Sequence, residues 1–128
     1  MIEAHFNKIL ETISLSFAIS SFNVSKLRIA EDDGFIRVRC SLINGDILEF
    51  AEYVKIVYEE SKSQSYSYHW QRSDGTLLKR WDNVAHHPEL AFFPDHLHES
   101  NGEVQPSPPM NFSQVLLEIE NTLRASEK

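Results

Sequence analysis

Apolar residues recur along this chain with two periods, and the switch between them sets its organisation. Ile2, Phe6, Ile9, Leu10 and Ile13 fall at i, i+4, i+7, i+8 and i+11, with Glu3, Lys8 and Glu11 left for water. That spacing predicts an amphipathic helix over about 2–15. From there the period drops to two. Ile36, Val38, Cys40 and Leu42 alternate with Arg37, Arg39 and Ser41, and Tyr66, Tyr68 and Trp70 alternate with Ser65, Ser67, His69 and Gln71. Asp33-Gly34, Asn44-Gly45 and Asp74-Gly75 separate the runs, and such pairs supply the positive φ angles that tight hairpins need. We therefore expect an antiparallel meander of five strands, near about 21–31, 35–43, 46–58, 64–72 and 76–82. The third strand contains one misfit, because Glu52 stands where Leu48, Phe50, Val54 and Ile56 set an apolar phase.

Regular periodicity stops between Asn83 and Met110, where all five prolines fall. This predicts a long His- and Pro-rich loop whose first part packs through Leu90, Phe92 and Phe93. Its polar part, about 99–110, is expected to be mobile. Phe112, Val115, Leu116, Ile119 and Leu123 then restore the helical stripe, opened by Asn111 and Gln114 at N-cap and N3 spacing. The expected fold is α+β: one domain over residues 1–128, with the N-terminal and C-terminal helices packed on one face of the sheet.

Composition narrows the function classes. With 128 residues and 41% apolar side chains, a single packed core is affordable. The formal net charge of -7 argues against broad binding to duplex DNA, which needs a basic face. No apolar run is long enough to span a membrane, and the first residues lack a signal-like pattern, so a cytoplasmic protein is expected. Cys40, the one cysteine, lies in an alternating apolar run and reads as a small buried hydrophobe. Five of the six histidines lie between His69 and His98, which places the chemistry in one region.

That region carries Tyr66-Ser67-Tyr68-His69, then Arg80-Trp81-Asp82-Asn83, His86-His87-Pro88-Glu89 and Pro94-Asp95-His96-Leu97-His98. In this order and spacing the elements resemble the TumE family of prokaryotic toxin–antitoxin proteins over roughly residues 1–125. Members usually carry a Lys between the last two histidines, where this chain has Leu97. The resemblance implies the toxin of a type II pair, encoded beside an antitoxin that is often a small helix-turn-helix DNA-binding protein; what it acts on has to be argued from the residues.

The residues themselves suggest three readings. Metal-independent RNA cleavage needs a group near neutral pKa to take the 2′-hydroxyl proton, another to protonate the leaving oxygen, and a cation on the phosphate. Here His86 and His96 are the candidate acid–base pair and Arg80 the phosphate clamp, with His98 and His69 as further catalytic candidates expected to converge at the same end of the sheet. Asp82 is placed to orient a histidine, and His87, Tyr68 and Glu52 are candidate supports, Glu52 facing the same pocket or pairing with Arg80. In the second reading Arg80 and Asp82 form a structural ion pair, and the aromatic strand and His-rich loop are a protein-binding surface, for the antitoxin or a cellular target such as the ribosome, while the sheet face carrying Arg37, Arg39, His69 and Gln71 is a candidate seam of a homodimer. The third is a divalent-metal site in which His96, His98, His86 and Asp82 are the ligands, in place of no cofactor at all.

Overall fold

A computed structural model of the chain describes residues 1–126. Helix α1, Ile2–Leu15, buries Ile2, Phe6, Ile9 and Ile13, the stripe read from the sequence. Seven strands follow in one antiparallel meander: β1 Ile19–Ile29, β2 Asp33–Leu42, β3 Ile47–Val57, β4 Glu60–Gln71, β5 Leu77–Asp82, β6 His96–Glu99 and β7 Val104–Pro106. Helix α2, Phe112–Ser126, closes the chain. Its start is the expected capping box, since Gln114 N–H donates to Asn111 Oδ1 and Asn111 N–H donates to Gln114 Oε1, both at 2.9 Å.

The sheet therefore has seven strands where five were expected. His96–Glu99 and Val104–Pro106 form a short hairpin within the stretch read as loop. Its strands are too short to show a period in sequence, and Pro106 sits at the free edge, where a missing N–H costs no ladder bond. β4 also begins earlier than expected, because Tyr58 and Glu59 make the β3 to β4 turn at φ 50° and 64° with no glycine to mark it.

Register sorts the side chains into two faces. Val38, Phe50, Tyr68, Trp81 and Leu97 pair successively across β2 to β6 and lie on the face that both helices cover. Phe112 of α2 stacks on Phe50 at 4.5 Å between ring centroids. The next row, Arg39, Glu49, His69, Arg80 and His98, lies on the opposite face because strand side chains alternate. α1 can sit close only because Gly34 has no side chain: a Cβ there would meet Ile2 Cγ2 at 2.6 Å and Phe6 Cε2 at 2.8 Å. Cys40 is fully buried, and burial pushes its thiol up to about 12, so it acts as a hydrophobe. No helix among the described residues is long and apolar enough to cross a membrane.

Candidate functional site

The segment after β5 folds back over the helix-free face of the sheet. Asn83 fixes its start: Tyr66 N–H donates to Asn83 Oδ1, and Asn83 Nδ2 donates to the Gln64 carbonyl, both at 3.0 Å. Tyr66 fixes its end, donating its hydroxyl to Asp95 Oδ1 at 2.6 Å. Between these anchors the segment covers Asp82 and His96, which become 3% and 2% exposed although the face they belong to is otherwise open.

Asp82 is the hub. Its Oδ2 accepts from Arg80 Nε at 3.0 Å and lies 3.4 Å from His98 Nε2, while Oδ1 accepts from Val84 N–H at 3.0 Å and lies 2.9 Å from His96 Nε2. His96 and His98 meet through their Nε2 atoms at 3.1 Å. On the other side of Arg80, its guanidinium donates to His69 Nδ1 at 3.4 Å, and His69 Nε2–H donates to Gln71 Oε1 at 3.1 Å. Thus His69, Arg80 and His98 stand in one row across three neighbouring strands. A cavity of about 260 Å³ opens beside them, lined by Arg37, Glu49, Ser67, His69, Gln71 and Arg80.

Electrostatics pushes both accessible imidazoles toward their neutral forms. Burial lowers the His69 pKa, and the Arg80 charge lowers it further, so this ring is neutral near neutral pH. Burial also lowers that of His98; Asp82 opposes the shift, but His96, Arg80 and His87 add to it, so it stays below its ordinary value.

Of the residues singled out in sequence, the structure brings together Arg80, Asp82, His69, His96 and His98, with His87 edge-on to both His96 and His98. It does not pair His86 with His96: the His86 ring is exposed and stands edge-on to that of His87, at 6.4 Å between centroids. His96 is buried and faces Asp82 and His98 rather than solvent. Leu97 pairs with Trp81 on the helix-covered face, so the departure from the family's lysine removes no cation from this cluster.

Glu52 and Tyr68 lie on the other face of the sheet. The misfit carboxylate pairs with neither Arg80 nor the histidine cluster. It accepts from the Tyr68 hydroxyl at 2.9 Å and lies 3.2 Å from His5 Nε2. His5 is the residue that sequence reading missed. The available signal was that a carboxylate in an apolar phase needs a donor from the covering helix, and His5 flanks the α1 stripe. His5 and Glu52 line a larger cavity than the one beside His69, about 490 Å³, between α1, the start of α2 and the first residues of β4. Volume and chemistry therefore disagree about where the site lies. The open face has the stronger claim, because two imidazoles and a guanidinium converge there on accessible space.

The class defined so far is a two-layer α+β protein, helices on one face of a meander sheet and a buried carboxylate organising imidazoles and a guanidinium on the other. The family model described as Toxin TumE matches residues 7–125, nearly the whole chain, and the chain belongs to the TumE family. Comparison with curated proteins and with solved structures gave no match to the chain.

Proposed function

We propose that this protein is the toxin of a toxin–antitoxin pair and that it cleaves RNA at the helix-free face of its sheet without needing a metal. The observation that carries the reading is the row His69, Arg80, His98. Strands are spaced by ~4.8 Å, so the backbones carrying the two rings are ~10 Å apart, with a guanidinium between them. That leaves room for one phosphodiester.

Each group has a role that follows from its surroundings. Arg80 is held by Asp82 through Nε, which leaves its terminal nitrogens to donate to non-bridging phosphate oxygens. When Arg80 turns to the phosphate, it releases the lone pair on His69 Nδ1. His69, neutral because of burial and the neighbouring charge, takes the 2′-hydroxyl proton. The 2′-oxygen attacks phosphorus, and the bond to the 5′-oxygen breaks. His98, whose pKa burial lowers while Asp82 opposes the shift, is the ring placed by the row to give a proton to that leaving oxygen. The products are a 2′,3′-cyclic phosphate and a 5′-hydroxyl. The cavity beside His69 supplies polar walls for a flanking nucleotide.

A partner antitoxin is what membership of a toxin family implies. The reading is tested by inducing the chain in a host without that antitoxin and following growth and total RNA. Growth arrest with fragmented RNA, lost in His69→Ala and Arg80→Lys at equal protein level, is the expected result. Arrest with intact RNA overturns cleavage and favours the alternative, a non-catalytic module that acts by binding a protein target.

A further inference from the structure

The contacts of His96 pose a question that RNA cleavage does not answer. Its Nδ1 lies 2.8 Å from the Pro94 carbonyl oxygen, which can only accept, so Nδ1 carries a hydrogen. The other nitrogen then faces two groups with lone pairs, Asp82 Oδ1 at 2.9 Å and His98 Nε2 at 3.1 Å. Some positive centre has to lie among them. A proton can serve, and so can a metal ion. Asp82, His96 and His98 offer three ligand atoms all within 4.8 Å of one another.

The spacing fits zinc. A tetrahedral site with ligand bonds of ~2.0–2.1 Å has ligand-to-ligand edges of about 3.3 Å. Here His96 Nε2 lies 2.9 Å from Asp82 Oδ1 and 3.1 Å from His98 Nε2, so the two edges that His96 makes are close to those of such a site, while His98 Nε2 lies 3.4 Å from the other carboxylate oxygen, Oδ2. The bond from His96 Nδ1–H to a backbone carbonyl is the outer contact that fixes a ligating imidazole with its Nε2 facing the metal. His98 is only half-buried, which leaves a path for an ion from solvent. Arg80 works against a dication, because its guanidinium shares the Asp82 carboxylate. The site therefore suits an exchangeable ion better than a permanent structural one.

We propose that Asp82, His96 and His98 form a seat for one divalent transition-metal ion, zinc fitting best, and that its occupancy switches off the RNA-cleaving site. The first half stands on geometry alone. The second rests on the function proposed above: an imidazole that ligates a metal through Nε2 cannot also hold the second proton that His98 gives to the leaving oxygen, and the metal draws Asp82 away from Arg80.

The test uses the whole chain, stripped of metal by a chelator and titrated with zinc in a calorimeter. One equivalent should bind, with affinity reduced about 100-fold or more in His98→Ala and His98→Gln and unchanged in His5→Ala. Thermal melts establish that each variant is folded. Cobalt loaded in place of zinc should give the visible absorption of a tetrahedral ion, absent from the His98 variants. Binding of less than a tenth of an equivalent, or equal binding by the His98 variants, overturns the seat. In an RNA assay, one equivalent of zinc should stop cleavage and a chelator restore it, whereas zinc-stimulated cleavage overturns the switch. No cleavage in any condition sinks the ribonuclease reading and the switch together, while calorimetry decides the seat by itself.

Discussion

Arg80 and Asp82, two residues apart on β5, share one face and are joined by an Nε to Oδ2 bond of 3.0 Å, with the carboxylate buried and the guanidinium at the surface. The pair is structural and chemical at once. Asp82 anchors the returning segment through Val84 and His96, and its bond to Arg80 Nε holds the guanidinium with Nη1 toward His69 Nδ1. The two roles make different predictions.

Removing the hub should cost stability. Asp82→Ala leaves Arg80 and the Val84 N–H without their acceptor, and breaking one side of a buried ion pair costs about 3–5 kcal/mol. Chemical denaturation should show a loss of that size, and amide exchange should accelerate first over residues 83–95. His86→Ala, at an exposed ring, should change stability by less than about 0.5 kcal/mol.

Arg80→Lys should separate charge from geometry. A lysine keeps one positive charge but loses the planar fork, so binding to phosphate survives in part while cleavage falls. We expect a drop in rate of about 10²-fold or more for Arg80→Lys and for His69→Ala, the usual size of a lost acid–base or charge-stabilising group. His86→Ala should stay within about twofold of the parent, because its ring does not reach the row. Initial rates on a short single-stranded RNA measure all three.

On the helix side, Glu52→Ala should destabilise without touching chemistry. It strips the Tyr68 hydroxyl of its acceptor in the core, at a cost of about 1–3 kcal/mol. Cleavage per folded molecule should be unchanged. A loss of rate with no loss of stability would place the active centre in the larger cavity instead.

Gly34→Ala tests why α1 can lie where it does. The added methyl meets Ile2, Phe6 and the Arg28 carbonyl at under 3.0 Å, so helix or strand has to shift. Overpacking of this kind costs about 1–3 kcal/mol, and the thermal midpoint should fall accordingly.

Acid should expose one further ion pair. Arg28 and the Tyr53 hydroxyl hold the Asp33 carboxyl at about 2, below its ordinary value of 3.8. A folded-state pKa below the unfolded one adds stability that is complete above the unfolded value and disappears as pH falls through the folded one. Asp33→Asn should therefore flatten the pH dependence of stability between about 4 and 2, and NMR titration should place the Asp33 midpoint near the lower figure.

Much of this fold was legible because long elements carry their period in full. The α1 and α2 stripes, the alternation of β2 and the Asn111 and Gln114 cap all reappear as read. The β6 to β7 hairpin did not show, since strands of 4 and 3 residues cannot display a period and prolines around them read as loop. The site was legible in membership more than in pairing. Strand alternation places His69, Arg80 and Asp82 on one face once the β4 to β5 turn is recognised. Which of the remaining histidines approach them depends on how residues 83–95 return, and that is fixed by Asn83, Tyr66 and Asp95, contacts made across distant parts of the chain. For the same reason Glu52 was recognised as out of place while its partner His5 was not.

The most direct measurement is the end chemistry of RNA exposed to the purified protein in excess chelator. The account predicts fragments ending in 2′,3′-cyclic phosphate with matching 5′-hydroxyls, formed by the parent chain and by His86→Ala and nearly absent with His69→Ala, His98→Ala or Arg80→Lys. Intact RNA, 3′-hydroxyl ends, or equal cleavage by all of these proteins would contradict it.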